Sequence, residues 1–217
     1  MKTFDCERLS RSEQYKLLTG AVSPRPVALV TTMGSHGVNA APFSFFNVLG
    51  VEPPMILFSV GMRADADKDT VRNLKQHPEL VVHLVDEATA EPMNQCSAAL
   101  PYGVNELEFA GLQTVASDVV QVPRIAACPV HFECVLHRLE AFGKVPYHLV
   151  IARIVRMHFR DDVVDDHYHV DAQALKAIGR VTGAGMYIKT TAPFCMPAPE
   201  LPAPKPVAPE PAAPPRS

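Results

Sequence analysis

The sequence has no tryptophan, and it has no run of about 18 apolar residues, so no helix of it is expected to span a membrane. A basic footprint is missing as well: 20 Lys and Arg stand against 23 Asp and Glu, for a formal net charge of −3. Nucleic-acid binding rests on neutralising phosphates, so neither DNA nor RNA is an expected partner. Cysteines occur at positions 6, 96, 128, 134 and 195, with no Cys-x-x-Cys pair, and no apolar signal segment opens the chain. An odd set of thiols at such spacings suits a reducing compartment, and the expected location is the cytoplasm.

Several chemical signatures are absent too. No Gly-x-Gly-x-x-Gly follows an early strand, and there is no Gly-x-x-x-x-Gly-Lys-Ser/Thr loop. There is no Gly-x-Ser-x-Gly elbow and no His-Glu-x-x-His or Cys/His quartet. The best metal-like cluster, His167 and His169, reads as a solvated turn, and no metal is expected. Cys128 and Cys134 lie in or beside a strand and read as inert buried thiols. Residues 179–185 are glycine-rich and include Arg180, but they follow a helical-looking segment and read as a turn more readily than as a phosphate loop. No residue stands out as catalytic.

Proline, by contrast, is abundant. The chain has 21, and ten of them lie between Pro193 and Pro215. Composition therefore divides the chain into a globular domain, 1–191, and a Pro/Ala-rich tail, 192–217, which is expected to stay extended, solvated and disordered. With 47% hydrophobic residues, the domain has enough apolar material for a sizeable core.

Within the domain, residues 27–33 form a β-branched run ended by a Gly-Ser-His-Gly turn. Residues 38–48 resume as an extended stretch, which predicts a hairpin. Further strands are predicted at 55–60, 80–85, 130–142 and 148–159, the last with a bulge or bend between Ile151 and Ile154. Short helices are predicted near 67–77, with Asp67 or Asp69 as its cap, and at 88–99. Strands and helices do not alternate regularly, so the expected class is mainly β, an antiparallel barrel with accessory helices.

Three local features carry candidate chemistry. Pro24 and Pro26 stiffen the backbone around Arg25, which either presents a fixed cation or simply braces the start of a strand. Residues 39–47 interleave small, hydroxyl and aromatic side chains around Pro42, as a heterocycle slot or as a core strand would. Lys68-Asp69-Thr70 sits at a helix start, suited to a phosphate or to ordinary capping by Asp69.

Taken in order, these segments resemble the flavin reductase-like family of FMN-binding split barrels. The resemblance is carried by Pro24-Arg25-Pro26, Val30-Thr31-Thr32, Ala41-Pro42-Phe43-Ser44-Phe45-Phe46-Asn47, Pro53-Pro54-Met55 and Lys68-Asp69-Thr70 with Asn73. It continues through Met93-Asn94, Pro101-Tyr102-Gly103-Val104-Asn105-Glu106, Ala110-Gly111-Leu112 and Pro123-Arg124-Ile125 to Gly179-Arg180 and Tyr187. It implies a six-stranded antiparallel, Greek-key-like split β-barrel acting as a homodimer, with FMN between subunits. It also implies that Arg25, Lys68 and Thr70 hold the phosphate, with Thr31 and Thr32 near the ribityl phosphate arm. Ser44, Phe45, Phe46 and Asn47 would line the isoalloxazine edge, and Asp69 would mainly cap the helix. The implied reaction is hydride transfer from NADH or NADPH to flavin N5, which needs no protein nucleophile. Arg180 and His148 are candidate contacts for the nicotinamide nucleotide. The implied partner is a flavin-dependent oxygenase or another redox protein. The alternatives are a flavoredoxin-like electron carrier reduced by a protein, and a barrel that binds some other ligand without catalysis.

Overall fold

The structure is a computed structural model that describes residues 1–198 except 64, 65, 102 and 184. The expected Pro/Ala tail lies outside the described residues from position 199 onward.

The chain opens with helix α1 (Arg11–Ala21). Ser10 starts it with a capping box, its hydroxyl accepting from Glu13 N–H while the Glu13 carboxylate accepts from Ser10 N–H. A two-residue strand, β1 (Arg25–Pro26), leads into β2 (Ala28–Gly34). The predicted hairpin joins β2 to β3 (Gly37–Phe43), with Gly37 at φ 105° supplying a left-handed conformation. The extended stretch 38–48 is not one strand: it breaks at Ser44-Phe45 and resumes as β4 (Phe46–Val51). Next come β5 (Pro54–Gly61), α2 (Asp69–Gln76) and β6 (Glu79–Leu84). Short pieces follow: α3 (Ala90–Gln95), α4 (Glu106–Phe109), β7 (Thr114–Val115) and β8 (Arg124–Ile125). Two long strands, β9 (Val130–Phe142) and β10 (Tyr147–Phe159), precede α5 (Ala172–Leu175), β11 (Ile178–Val181) and β12 (Met186–Lys189).

The main sheet is antiparallel with strand order β3-β2-β6-β9-β10-β5-β4. It therefore has seven strands, one more than expected, because the break at Ser44-Phe45 divides a predicted strand in two. The two end strands, β3 and β4, are consecutive in sequence and joined by two residues. Three residue steps, Phe43 to Phe46, reach at most about 11 Å. The sheet must therefore curl enough to bring the end of β3 beside the start of β4; among the described residues no ladder pairs the two strands. The Phe43 and Phe58 rings, 5.2 Å apart, pack across that seam.

The barrel interior is filled by Val30, Phe43, Ile56, Phe58, Val60, Leu80, Val82 and Val150, with Val71 and Leu74 of α2 plugging one end. A second cluster packs Leu29 and Ala40 against Met93, Leu107 and Ile125 outside the barrel. Strand β2 is thus buried on both faces, which is why it reads as a continuous apolar run rather than an alternating one. On β10 the inward face is His148, Val150, Ala152 and Ile154, one position off from Leu149 and Ile151, which stand out in the sequence. Apolar residues occupy both faces there, so periodicity alone does not select the buried one. Register shifts occur at Ile151/Ala152, within the expected interval, and at Ile154/Arg156, just beyond it.

Candidate functional site

Of the ten residues predicted to hold the flavin, eight line two clefts on either side of the β3–β4 junction, and Thr31 and Thr32 do not. The first cleft, of about 220 Å³, is lined by Asn39, Ala41 and Pro42 of β3, by Arg63, by Lys68, Asp69 and Thr70 at the start of α2, and by Ser97, Ala98 and Glu106.

Lys68 is the residue before α2, in extended conformation, and no side chain caps the helix. The expected capping by Asp69 does not occur. The chain turns helical one residue earlier than such a cap needs, so Asp69 becomes the first helical residue and its carboxylate sits 3.7 Å from Arg72. An ammonium cannot accept an N–H, so the first-turn N–H groups of α2 are left without a side-chain acceptor. The Lys68 ammonium lies 5.8 Å over the Phe43 ring and has no carboxylate partner within ion-pair distance among the described residues. Burial, and secondarily Arg63, pushes its pKa below the ordinary lysine value. Arg63, which no sequence motif marks, donates to Leu100 O at 2.7 Å and adds a second cation to the cleft.

The floor is a polar network. Glu106 is buried and accepts from Ala40 N–H at 3.1 Å. The Asn39 amide, turned to suit its neighbours, donates to Glu106 Oε1 at 3.2 Å. Burial raises the Glu106 pKa above the ordinary carboxylate range, and the Ala40 N–H opposes that. Cys96 also borders the cleft. Burial pushes its thiol up to about 12, so it stays protonated and is no nucleophile at neutral pH.

The second cleft, about 370 Å³, is lined by Pro24, Arg25 and Pro26, by Ser44, Phe45, Phe46 and Asn47, and by Leu18 and Val22 near the end of α1. It brings the four predicted flavin-edge residues together with Arg25. The Arg25 guanidinium, however, is buried and engaged. It donates to the carbonyl oxygens of Thr19, Val22 (2.7 Å) and Thr182 (2.9 Å), and it stacks 5.9 Å from the Phe45 ring. It ties the end of α1 to the β11–β12 turn and does not line the Lys68 cleft. Two prolines do present a fixed cation, but to backbone carbonyls.

Thr31 and Thr32 line neither cleft. Both are fully buried on β2; Thr31 donates to Pro123 O at 3.0 Å, and Thr32 Oγ1 accepts from Asn73 Nδ2 at 3.1 Å. The Thr32 hydroxyl joins Asn39, Thr70 and Asn73 in a network that fixes α2 against β2 and β3. Of the nicotinamide candidates, Arg180 packs 5.5 Å over the Tyr187 ring, and His148 points into the barrel mouth toward Asp67.

His167 and His169 are exposed on a turn, as read from the sequence. The one convergent trio of metal-type ligands among the described residues is Asp118, Glu133 and His158. Its Glu133 carboxylate is already occupied by the N–H groups of Asp118, Val119 and Val120 at 2.7–3.1 Å and by His158 at 2.7 Å. The Arg124 guanidinium is 3.9 Å away, so the local cation is a side chain.

Comparison with known proteins places this geometry. The chain is 44% identical over 183 residues to a protein of Halalkalibacterium halodurans, covering 82% of this chain and 87% of that one. Among solved structures, nitrilotriacetate monooxygenase component B from Bacillus cereus superposes with a TM-score of 0.87 at 36% identity, covering 90% of this chain and 98% of that chain. The 2-nitrobenzoate 2-nitroreductase NbaA of Pseudomonas fluorescens gives 0.84 at 34% identity, covering 93% and 99%. The sequence model of the flavin reductase like domain matches residues 20–176, well over half of the chain, and the protein belongs to that family.

Proposed function

We propose that the protein is an FMN-binding oxidoreductase that passes hydride from NADH or NADPH to its flavin. The observation that carries this reading is the first cleft: a helix start with no side-chain cap, a half-buried lysine with no carboxylate partner among the described residues, and a second cation from Arg63. Two cations beside a helix start with no side-chain cap suit a phosphate. Lys68 and Arg63 would hold the phosphate charge, with Thr70 and Ser97 beside it. Ala41 and Pro42 line the same cleft, and Ser44, Phe45, Phe46 and Asn47 continue the wall beyond the junction, where an apolar slot with backbone groups suits a planar ring system. A bound flavin supplies the two-electron chemistry, so the protein's part is to bind, orient and exclude water. The absence of an activated nucleophile among the buried cysteines agrees with that division.

The working unit in this reading is a homodimer. Strand β4 is an edge of the sheet and exposes Val48 (62%) and Val51 (84%), beside Leu18 (61%) and Val22 (61%) of the α1 region. An apolar edge strand invites pairing unless it is covered, and a second copy would cover it next to the flavin-edge cleft. The similarity to a monooxygenase component B supports a flavin-dependent oxygenase as the recipient of electrons. No helix among the described residues is long and apolar enough to cross a membrane, and all five cysteines are free, which suits the cytoplasm.

The direct test is the visible spectrum of the purified protein before and after anaerobic NADH or NADPH. Bound FMN that bleaches with a nucleotide is the expected result. FMN that neither nucleotide reduces, but that a redox protein does, would replace the enzyme with an electron carrier. Protein that ignores added FMN would sink both.

A further inference from the structure

The geometry points to His148 and Asp67 as a latch that positions Lys68 for the phosphate, a role that rests on reading the first cleft as the phosphate site. On β10 the inward positions after His148 are Val150, Ala152 and Ile154, all buried among the barrel's apolar residues. A histidine in that series, itself only 8% exposed, is out of place unless its polar edge has a task. Its Nε2 lies 2.8 Å from Asp67 Oδ1, at an angle short of an aligned hydrogen bond, so the contact is a close polar approach between the ring and the carboxylate. The other oxygen of Asp67 accepts from Lys75 Nζ of α2 at 2.7 Å.

Asp67 is therefore gripped from two sides, by the barrel wall through His148 and by α2 through Lys75. The next residue is Lys68, which starts α2 and overhangs the cleft. Hydrogen bonding from Lys75, reinforced by the charges of Lys75 and His148, holds the Asp67 carboxyl below the ordinary range, so this side of the latch is an anion at neutral pH. With one end of the peptide fixed to the barrel, the Lys68 ammonium loses little further freedom when it meets an anion. Neither His148 nor Asp67 lines the first cleft, so each acts through Lys68.

The test compares FMN with riboflavin, which lacks the phosphate, by fluorescence titration of the full chain. In the unaltered protein FMN binds more tightly than riboflavin, and Lys68→Ala removes most of that difference. His148→Leu, which fills the barrel mouth without a polar tip, weakens FMN by about tenfold, the loss expected of one polar contact, and leaves riboflavin within about twofold. His148→Gln, which restores a donor at similar reach, recovers most of the FMN affinity. If His148→Leu fails to fold, Asp67→Asn, which leaves the barrel core untouched, shows the same selective loss. A His148→Leu protein that keeps the full FMN preference, or that loses both ligands equally, overturns the latch while the phosphate site stands. No preference for FMN in the unaltered protein overturns the cleft reading and the latch with it.

Discussion

His83 on β6 and His131 on β9 are direct cross-strand partners, with ring centroids 5.1 Å apart. His158 on β10 stands opposite His131 in turn, so three adjacent strands carry a histidine row on one face. His83 is completely buried; Nδ1 donates to Leu29 O at 2.8 Å and Nε2 accepts from Ile125 N–H at 2.9 Å, which requires the neutral ring.

Acid sensitivity follows from that arrangement. Burial, with His131 adding to it, lowers the His83 pKa from 6.5 to about 3. The unfolded chain therefore binds a proton that the folded one refuses, and stability present above pH 6.5 is lost as the pH falls toward 3. The slope from this group approaches about 1.4 kcal/mol per pH unit within that window. Burial lowers the His131 pKa too, so it acts in the same direction. Denaturant unfolding between pH 6.5 and 5, above the carboxylate range, should show the slope, and His83→Gln should flatten it.

Glu133 staples the 117–122 segment to β9. Its carboxylate is fully buried and serves three backbone N–H groups. Its hydrogen bonds outweigh the burial that would raise its pKa, and the net effect is to lower it, so it folds as the anion. Glu133→Ala should cost about 3–5 kcal/mol, because buried donors are left without an acceptor. Amide exchange should accelerate first at Asp118, Val119 and Val120; unchanged protection there would refute the staple.

Arg25 is expected to matter for folding at least as much as for flavin. Its guanidinium serves three carbonyl oxygens on two separate segments. A lysine has no planar fork to reproduce that, so Arg25→Lys should lower apo stability by about 2–3 kcal/mol despite keeping the charge. Melting of the flavin-free variant checks this, and an unaltered midpoint would return Arg25 to the list of simple phosphate ligands.

Gly34 is held small by Asn73. A Cβ at Gly34 would meet the Asn73 carboxamide, whose Nδ2 donates to Thr32. Gly34→Ala should cost about 1–3 kcal/mol. In an Asn73→Ala background the added cost should nearly vanish, since the clashing group is gone.

Much of this was legible in the sequence. Period, turn residues and proline placement give the β2–β3 hairpin, α2, and the long pair β9–β10 with its bulge, because each depends on neighbours within a few residues. Local signals also place Lys68 and Thr70 at a helix start. They do not reveal Arg63, which enters the cleft only because the chain beyond β5 turns back over β3. Nor do they show that Thr31 and Thr32 spend their hydroxyls inside the protein, since burial on both faces of β2 comes from elements distant in sequence.

The sequence by itself determined the class of the fold, most of its strands and the family, through residue patterns that act over one turn or one strand. Tertiary structure alone decided what each candidate cation contacts. Arg25 and Lys68 look equivalent as proline-braced and helix-start cations, yet one is consumed by backbone carbonyls and the other has no carboxylate partner among the described residues. The difference arises from elements distant in sequence: the β11–β12 turn brings Thr182 O onto Arg25, a contact across more than 150 residues that no local pattern encodes.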